Sequence, residues 1–272
     1  MPGCGGTASP PIRTACSRRT AGPARRLPPP RRLKLAHYPI VRQIGGSVSS
    51  IGGWDGCFVV GTKDGAAFSG RKILLATGVV DTLPKLPGLA ERWGRCVVHC
   101  PYCHGYEVGG GAIGVLATGS ASIAQASTLA DWGDITFFTA SAGDIAPDQL
   151  AMLHRRRVML EDRPLEALEG PPDGPIEVRF ADGAAMRIKA LFLASRQRVS
   201  PLADALGCAI EETPHGALIG TGPDKQTSVP GIYAAGDTAR LPTNVTLASA
   251  DGVLAGAAIH QALIAGEMEQ AA

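Results

Sequence analysis

The sequence predicts an α/β protein, and three observations carry that expectation. Residues 112–119, AIGVLATG, form an apolar run that ends in a glycine, the mark of a buried strand feeding a tight turn. The next stretch, SASIAQASTLADW, reads as a helix and DITFF at 134–138 as a second strand, so the three make one βαβ unit. Finally, 45% of the residues are hydrophobic but only 5% aromatic, and 35 glycines and 21 prolines supply turns, a composition that suits closely packed crossings.

The elements follow in order. Residues 1–33 hold seven arginines, seven prolines and no acid, and show no hydrophobic periodicity, so they are expected to be disordered. Their Arg and Ser content also suits a transit peptide, against which the prolines argue. From Tyr38 the runs YPIVRQ, SVSSI, CFVVGT and AAFSGRKILLATG read as antiparallel strands, with a hairpin at Lys63 to Gly65 and a buried strand at Ile73 to Ala76. A linker, TLPKLPGL, follows. Beyond the βαβ unit the pattern predicts a helix at Pro147 to Arg155, strands near Val158 to Leu160, Ile176 to Phe180 and Ala190 to Ala194, and a loop around SRQRVSP. GIYAAGD at 231–237 closes as a strand, and a small-residue helix runs from about Thr246 to Ile264.

Charge excludes some function classes. The formal net charge is +2, and the excess lies before residue 35, so the rest is acidic and offers no footprint for nucleic acid. No stretch approaches the roughly 18 apolar residues that span a bilayer, and no apolar segment follows the first residues, so the expectation is a soluble, cytoplasmic protein without a membrane partner.

Seven scattered cysteines make no disulfide framework, but HCPYCHG at 99–105 sets Cys100 and Cys103 two residues apart. Proline after Cys100 pushes that residue toward extended backbone and suits the first position of a helix. Cys100 then stands at a helix start, where free amides favour a thiolate, and His104 beside Cys103 is placed to exchange protons with it. Three readings compete: a redox pair, a zinc site using Cys96, His99, Cys100, Cys103 and His104, or two buried apolar residues. Zinc lacks a second ligand pair elsewhere in the sequence, so no metal is expected. Cys96 and His99 are expected to line the core.

The order LLATG, CPYCHG, AIGVLATG, IYAAGD resembles that of the thioredoxin reductase-like FAD-dependent pyridine nucleotide-disulfide oxidoreductases, from about Leu35 to Ile264. It looks closest to bacterial and fungal members with a histidine after the second cysteine, some of which oxidise small dithiols. The CPYC letters also occur in glutaredoxins, but GYEVGGG stops the long helix that family needs. The resemblance implies two dinucleotide-binding (Rossmann-like) domains with βαβ units and an antiparallel β insertion: 34–107 with 224–272 for FAD, and 108–223 for NADP or NAD, the cysteine pair at its entry. It implies that Asp237 meets the flavin ribitol, that Gly236 lets backbone approach the cofactor, that Ala76, Thr77 and Gly78 form a strand end beside it, and that Asn244 lies near the flavin ring. It assigns Cys103 to the flavin side, Cys100 to exchange with substrate, and the acid/base role to His104. Electrons would pass from NAD(P)H through FAD to the cysteine pair and on to a small disulfide or a thioredoxin-like protein, in a homodimer.

Two departures from the family pattern stand out. The nicotinamide turn, ATGSAS, keeps Gly119 and Ser120 but has Ala117 and Ser122 where glycines are usual, and Thr139 offers neither an acid nor an arginine to choose between NADH and NADPH. The first FAD-binding βα unit, with its glycine-rich phosphate turn, is missing; GCGGTASPP has no strand before it and proline where the helix should begin. A dithiol oxidase using oxygen, or a truncated homologue without FAD, are therefore the alternatives.

Overall fold

A computed structural model describes residues 13–15, 37–139 and 145–271. In chain order the first strands are β1 (Arg13–Ala15), β2 (Arg42–Ile44), β3 (Val48–Trp54), β4 (Cys57–Thr62), β5 (Ala67–Gly70), β6 (Ile73–Leu75) and β7 (Val80–Thr82). Then come β8 (Val97–Val98), helix α1 (Pro101–His104), β9 (Ala112–Leu116), α2 (Ala121–Leu129), β10 (Asp134–Phe138), α3 (Pro147–Arg155) and β11 (Met159–Glu161). β12 (Leu165–Glu169), β13 (Ile176–Phe180), β14 (Ala185–Ile188), β15 (Ala190–Leu193) and β16 (Arg196–Arg198) follow. The chain closes with α4 (Pro201–Ala205), β17 (Ile210–Thr213), β18 (Gly216–Ile219), β19 (Ile232–Ala234) and α5 (Val245–Ala271).

The chain divides into two compact units. Among the described residues one comprises 13–15, 37–80 and 197–271, and the other 81–139 and 145–196. The chain crosses between them within β7 and at β16. The expected borders, at 107/108 and 223/224, differ from these: the segment carrying the cysteine pair lies inside the continuous unit.

The continuous unit is built on a five-stranded sheet in the order β11-β10-β9-β15-β8, with every pairing recorded in it parallel. Such a sheet needs cover on both faces, which is why its strands read as unbroken apolar runs. On one face Val115, Phe137 and Phe192 pack with Ile123, Ala126 and Leu129 of α2 and Leu153 of α3. On the other Leu116, Phe138 and Leu191 meet Ile176, Val178 and Phe180 of the antiparallel sheet β12-β13-β14. The expected βαβ unit is β9-α2-β10, in register Ile113 to Ile135 and Leu116 to Phe138.

The discontinuous unit holds the antiparallel sheet β3-β4-β5, with its tip at Lys63 to Gly65, where the Thr62 N–H donates to the Ala66 carbonyl at 2.9 Å. It also pairs β6 with β19 in parallel, Ile73 to Ile232 and Leu75 to Ala234. Phe58, Leu75, Ala203, Cys208, Ile219, Ile232 and Ala234 form its core.

Several boundaries move. The strand expected at 38–43 begins only at Arg42, because the Val41 N–H turns back to the Tyr38 carbonyl at 3.0 Å. α2 stops at Leu129, three residues early, where the Trp132 N–H closes onto the Leu129 carbonyl. SRQRVSP is not a loop: it supplies β16, whose Gln197 pairs with Gly216, and the Ser200 cap and Pro201 first turn of α4. The disorder and the absence of a phosphate turn expected for 1–33 fall mostly outside the described residues, but Arg13–Ala15 forms a strand in parallel register with Arg42–Ile44. α5 runs to Ala271 and, contrary to the sequence reading, Val245–Met268 is long and apolar enough to cross a membrane by length and composition.

Candidate functional site

The cysteine pair sits at the carboxyl end of β8, the edge strand of the parallel sheet. Cys100 is the extended cap residue (φ −96°, ψ 112°) and Pro101 begins α1, as the proline dictates. α1 is a single turn, closed by the Gly105 N–H on the Pro101 carbonyl at 2.7 Å, so its dipole is short. That turn brings Cys100 and Cys103 into a disulfide with Cα atoms 5.3 Å apart, which leaves neither sulfur free as a zinc ligand. Cys103 is exposed and Cys100 half-buried. His104 and Tyr102 are exposed beside them.

The turn is fixed from beneath by aromatic packing. Trp132 meets the Tyr102 ring edge-on at 5.8 Å and lies against Gly105, where an added Cβ would stand 2.5 Å from Trp132 Cε3. Gln125 of α2 donates through Nε2 to the His99 carbonyl at 2.5 Å, tying the helix after β9 to the residue before the pair. Cys96 is buried and its Sγ faces the Pro172 carbonyl at 3.1 Å; burial pushes its thiol pKa up, which keeps it protonated and unreactive. Among the described residues no group of three or more His, Cys, Asp or Glu is gathered for a metal.

Gly119 and Ser120 lie on the same edge of that sheet, at the carboxyl end of β9 and the start of α2. Only β15 separates β9 from β8, so the strands that lead into the turn and into the disulfide lie about two strand spacings, or about 10 Å, apart. Buried Ser122 shapes the turn: its Oγ accepts from the Thr118 N–H at 3.0 Å, and Thr118 Oγ1 donates to the Ala194 carbonyl at 2.7 Å. Open amides at a helix start beyond a parallel strand suit a dinucleotide phosphate.

The discontinuous unit gathers the other predicted residues. Ala76, Thr77 and Gly78 leave the carboxyl end of β6, and Gly236 and Asp237 leave the carboxyl end of β19, its hydrogen-bonded neighbour. The Ala235 N–H donates to the Leu75 carbonyl at 3.1 Å, so the two stretches depart side by side. Gly236 has φ +79°, which a side chain would resist. Among the described residues the Oγ1 atoms of Thr77 and Thr238 are buried without a hydrogen-bond partner. Buried hydroxyls at adjoining ends of parallel strands fit a polar ligand in that crevice, as a flavin dinucleotide would be. Asn244 is occupied differently: its Oδ1 accepts from the Leu247 N–H at 2.8 Å and caps α5. Thr238 went unnoticed in the sequence, although it directly follows Asp237.

Comparison with known proteins identifies the family. Residues 34–252 match the pyridine nucleotide-disulphide oxidoreductase family. Thioredoxin reductase tcpT of Claviceps purpurea is 34% identical over 220 residues, 76% of this chain and 67% of that protein. Thioredoxin reductase sirT of Leptosphaeria maculans is 30% identical over 240 residues, 82% and 72% of the two chains. Among solved structures, an oxidoreductase from Agrobacterium tumefaciens superposes with a TM-score of 0.80 at 40% identity, covering 86% of this chain and 78% of its own.

Proposed function

Because the chain belongs to the pyridine nucleotide-disulphide oxidoreductase family, as a flavin-dependent disulfide oxidoreductase of the thioredoxin reductase-like type, we propose that it carries electrons from NAD(P)H through FAD to the Cys100–Cys103 disulfide and on to a disulfide substrate. The observation that carries this reading is the disulfide on the same sheet edge as the Gly119–Ser120 turn. FAD and NADPH, the family's cofactors, supply the two-electron transfer when bound. In this reading Thr77, Gly236, Asp237 and Thr238 hold the flavin dinucleotide, and Gly119, Ser120 and the start of α2 hold the nicotinamide one.

The thiol chemistry follows from the placement of the pair. In the reduced pair the Cys100 thiolate attacks one sulfur of the substrate disulfide; a new S–S bond forms, the substrate bond breaks, and His104 gives a proton to the departing thiolate. His104 then takes the proton of the Cys103 thiol; the resulting thiolate attacks the Cys100 sulfur, the mixed disulfide breaks, and the second substrate sulfur leaves as a thiolate that takes this proton from His104, closing the Cys100–Cys103 disulfide again. Two electrons and two protons leave with the substrate. The short loop keeps the second attack intramolecular, and Trp132 under α1 keeps the two sulfurs in reach.

The test is direct. The purified chain should show the visible bands of an oxidised flavin, bleach anaerobically with NADPH, and recover its colour on adding a disulfide acceptor. Cys100→Ser and Cys103→Ser should each abolish steady-state turnover. A colourless protein that takes up no FAD, or full turnover in Cys100→Ser, would overturn the proposal; oxygen uptake with a dithiol and no NADPH would convert the chain into a dithiol oxidase.

A further inference from the structure

Asp251 is the single acidic residue between Val245 and Gly266 of α5, in a run otherwise dominated by alanine, glycine and aliphatic residues. It is 2% exposed. A carboxylate so placed is costly unless its oxygens are well partnered, and here they are. Oδ1 lies 2.9 Å from Lys225 Nζ, while Oδ2 accepts from the Gly236 N–H at 3.3 Å and lies 3.2 Å from Arg240 Nε, an ion-pair contact without the alignment of a hydrogen bond. These partners come from both sides of β19: Lys225 precedes the strand, while Gly236 and Arg240 follow it. Lys225 sits at φ +67°, an uncommon conformation for a side-chain-bearing residue, and its carbonyl accepts from the Ala234 N–H at 3.0 Å. One helix carboxylate therefore fastens, at the carboxyl end of β19, both the turn that presents Gly236 and Asp237 and the segment paired antiparallel beside the strand.

We propose that Asp251 is a positioning residue for the flavin: by pinning the Gly236 amide and clamping Lys225 and Arg240, it sets the turn that offers Asp237 and Thr238 to FAD. The inference rests on the FAD reading above. Stability alone is a poor reason for the arrangement, since a buried ion set is often matched or exceeded in stability by an apolar residue of similar volume. Its location, at the carboxyl ends of paired parallel strands, is where ligand geometry is decided. Only a fixed turn keeps its ligand groups ready without ordering them at each binding event.

The experiment compares Asp251→Asn, which keeps size and drops the charge, with Asp251→Leu, which keeps volume and drops every polar contact. Three quantities are read on full-length protein: thermal unfolding of the flavin-free form, FAD affinity from quenching of flavin fluorescence, and the visible spectrum of the bound flavin. Both variants should lower the flavin-free midpoint, because Lys225 and Arg240 lose their counter-charge, and beyond what that fall accounts for should weaken FAD binding by about tenfold to a hundredfold, the range expected when a charge-assisted contact is lost, and alter the spectrum. Asp251→Glu should recover part of the affinity. Unchanged affinity and spectrum in folded variants, or a loss that merely follows a fall in the flavin-free midpoint, would overturn the proposal. Should both Asp251 variants fail to fold, Lys225→Met and Arg240→Met decide it, because they open the clamp from the other side, and wild-type affinity in both refutes it. A wild-type chain that binds no FAD is a different outcome, for it removes the proposed function before any variant is compared.

Discussion

Gly105→Ala poses a sharp question, because two local effects oppose each other. Gly105 follows α1 with helical backbone (φ −58°, ψ −45°), where alanine is favoured over glycine by about 0.5–1 kcal/mol. The added Cβ, however, would stand 2.5 Å from Trp132 Cε3, 2.8 Å from Trp132 Cδ2 and 2.7 Å from the Pro101 carbonyl oxygen. The carbonyl closes the turn and the ring is braced by Tyr102, so neither can retreat cheaply. Overpacking of this kind costs about 1–3 kcal/mol. The steric cost wins, leaving a net destabilisation of about 1–2 kcal/mol and a fall of several degrees in the unfolding midpoint. Urea unfolding followed by Trp fluorescence, in a Trp54→Phe Trp93→Phe background that isolates Trp132, gives the energy. The rate of disulfide reduction by dithiothreitol reports whether the pair has shifted, and it should rise. Trp132→Leu, with urea unfolding of all four proteins followed by far-UV circular dichroism, should make Gly105→Ala less harmful, giving a coupling energy between the two sites. A neutral or stabilising Gly105→Ala would refute the argument that Trp132 seats the redox turn.

Two further outcomes follow from burial and charge. Cys96 and Cys208 have thiols pushed upward by burial, so iodoacetamide at pH 8 should spare both in the folded protein and label both in denaturant, whereas the reduced Cys100–Cys103 pair should react in the folded state; rapid native labelling of Cys96, read by peptide mass spectrometry, would contradict its place in the core. Arg163 holds Glu161 below the usual carboxylate range through a bidentate contact at 2.9 and 2.6 Å. A depressed carboxylate stabilises above its unfolded value and loses that contribution as pH falls through its folded one, so Arg163→Met should destabilise near neutrality and lose its effect below about pH 4 in denaturant titrations.

Chemistry confined to neighbouring residues was legible in the sequence. The Cys-x-x-Cys turn needs only its own proline, and β9-α2-β10 announces itself through apolar runs and glycines. The strand ends at Ala76–Gly78 and Gly236–Asp237 were legible for the same reason. What the sequence hid depends on chain segments meeting across long separations: Lys225, Arg240 and Asp251 look like three scattered charges until α5 docks beside β19. A signal existed, since an aspartate in a helix of alanine and glycine calls for a partner. β12 and β14 were missed because their charged residues face away from the sheet they cover. Asn244, assigned by resemblance to the flavin, shows how a polar residue beside a helix start is as readily used by the backbone.

The division of the chain also bears on how it is made. Residues 81–196 form a contiguous unit that needs nothing synthesised later, whereas β6 must wait for β19, some 160 residues downstream, to gain its parallel neighbour. Closing so long a loop is entropically unfavourable, but a folded insert draws the loop's ends together and removes much of that penalty. On the ribosome the thiol-bearing half therefore matures first and acts as a splint for the other. The nascent chain meanwhile carries an unfinished sheet edge until β19 emerges, the interval in which aggregation competes most strongly with completion.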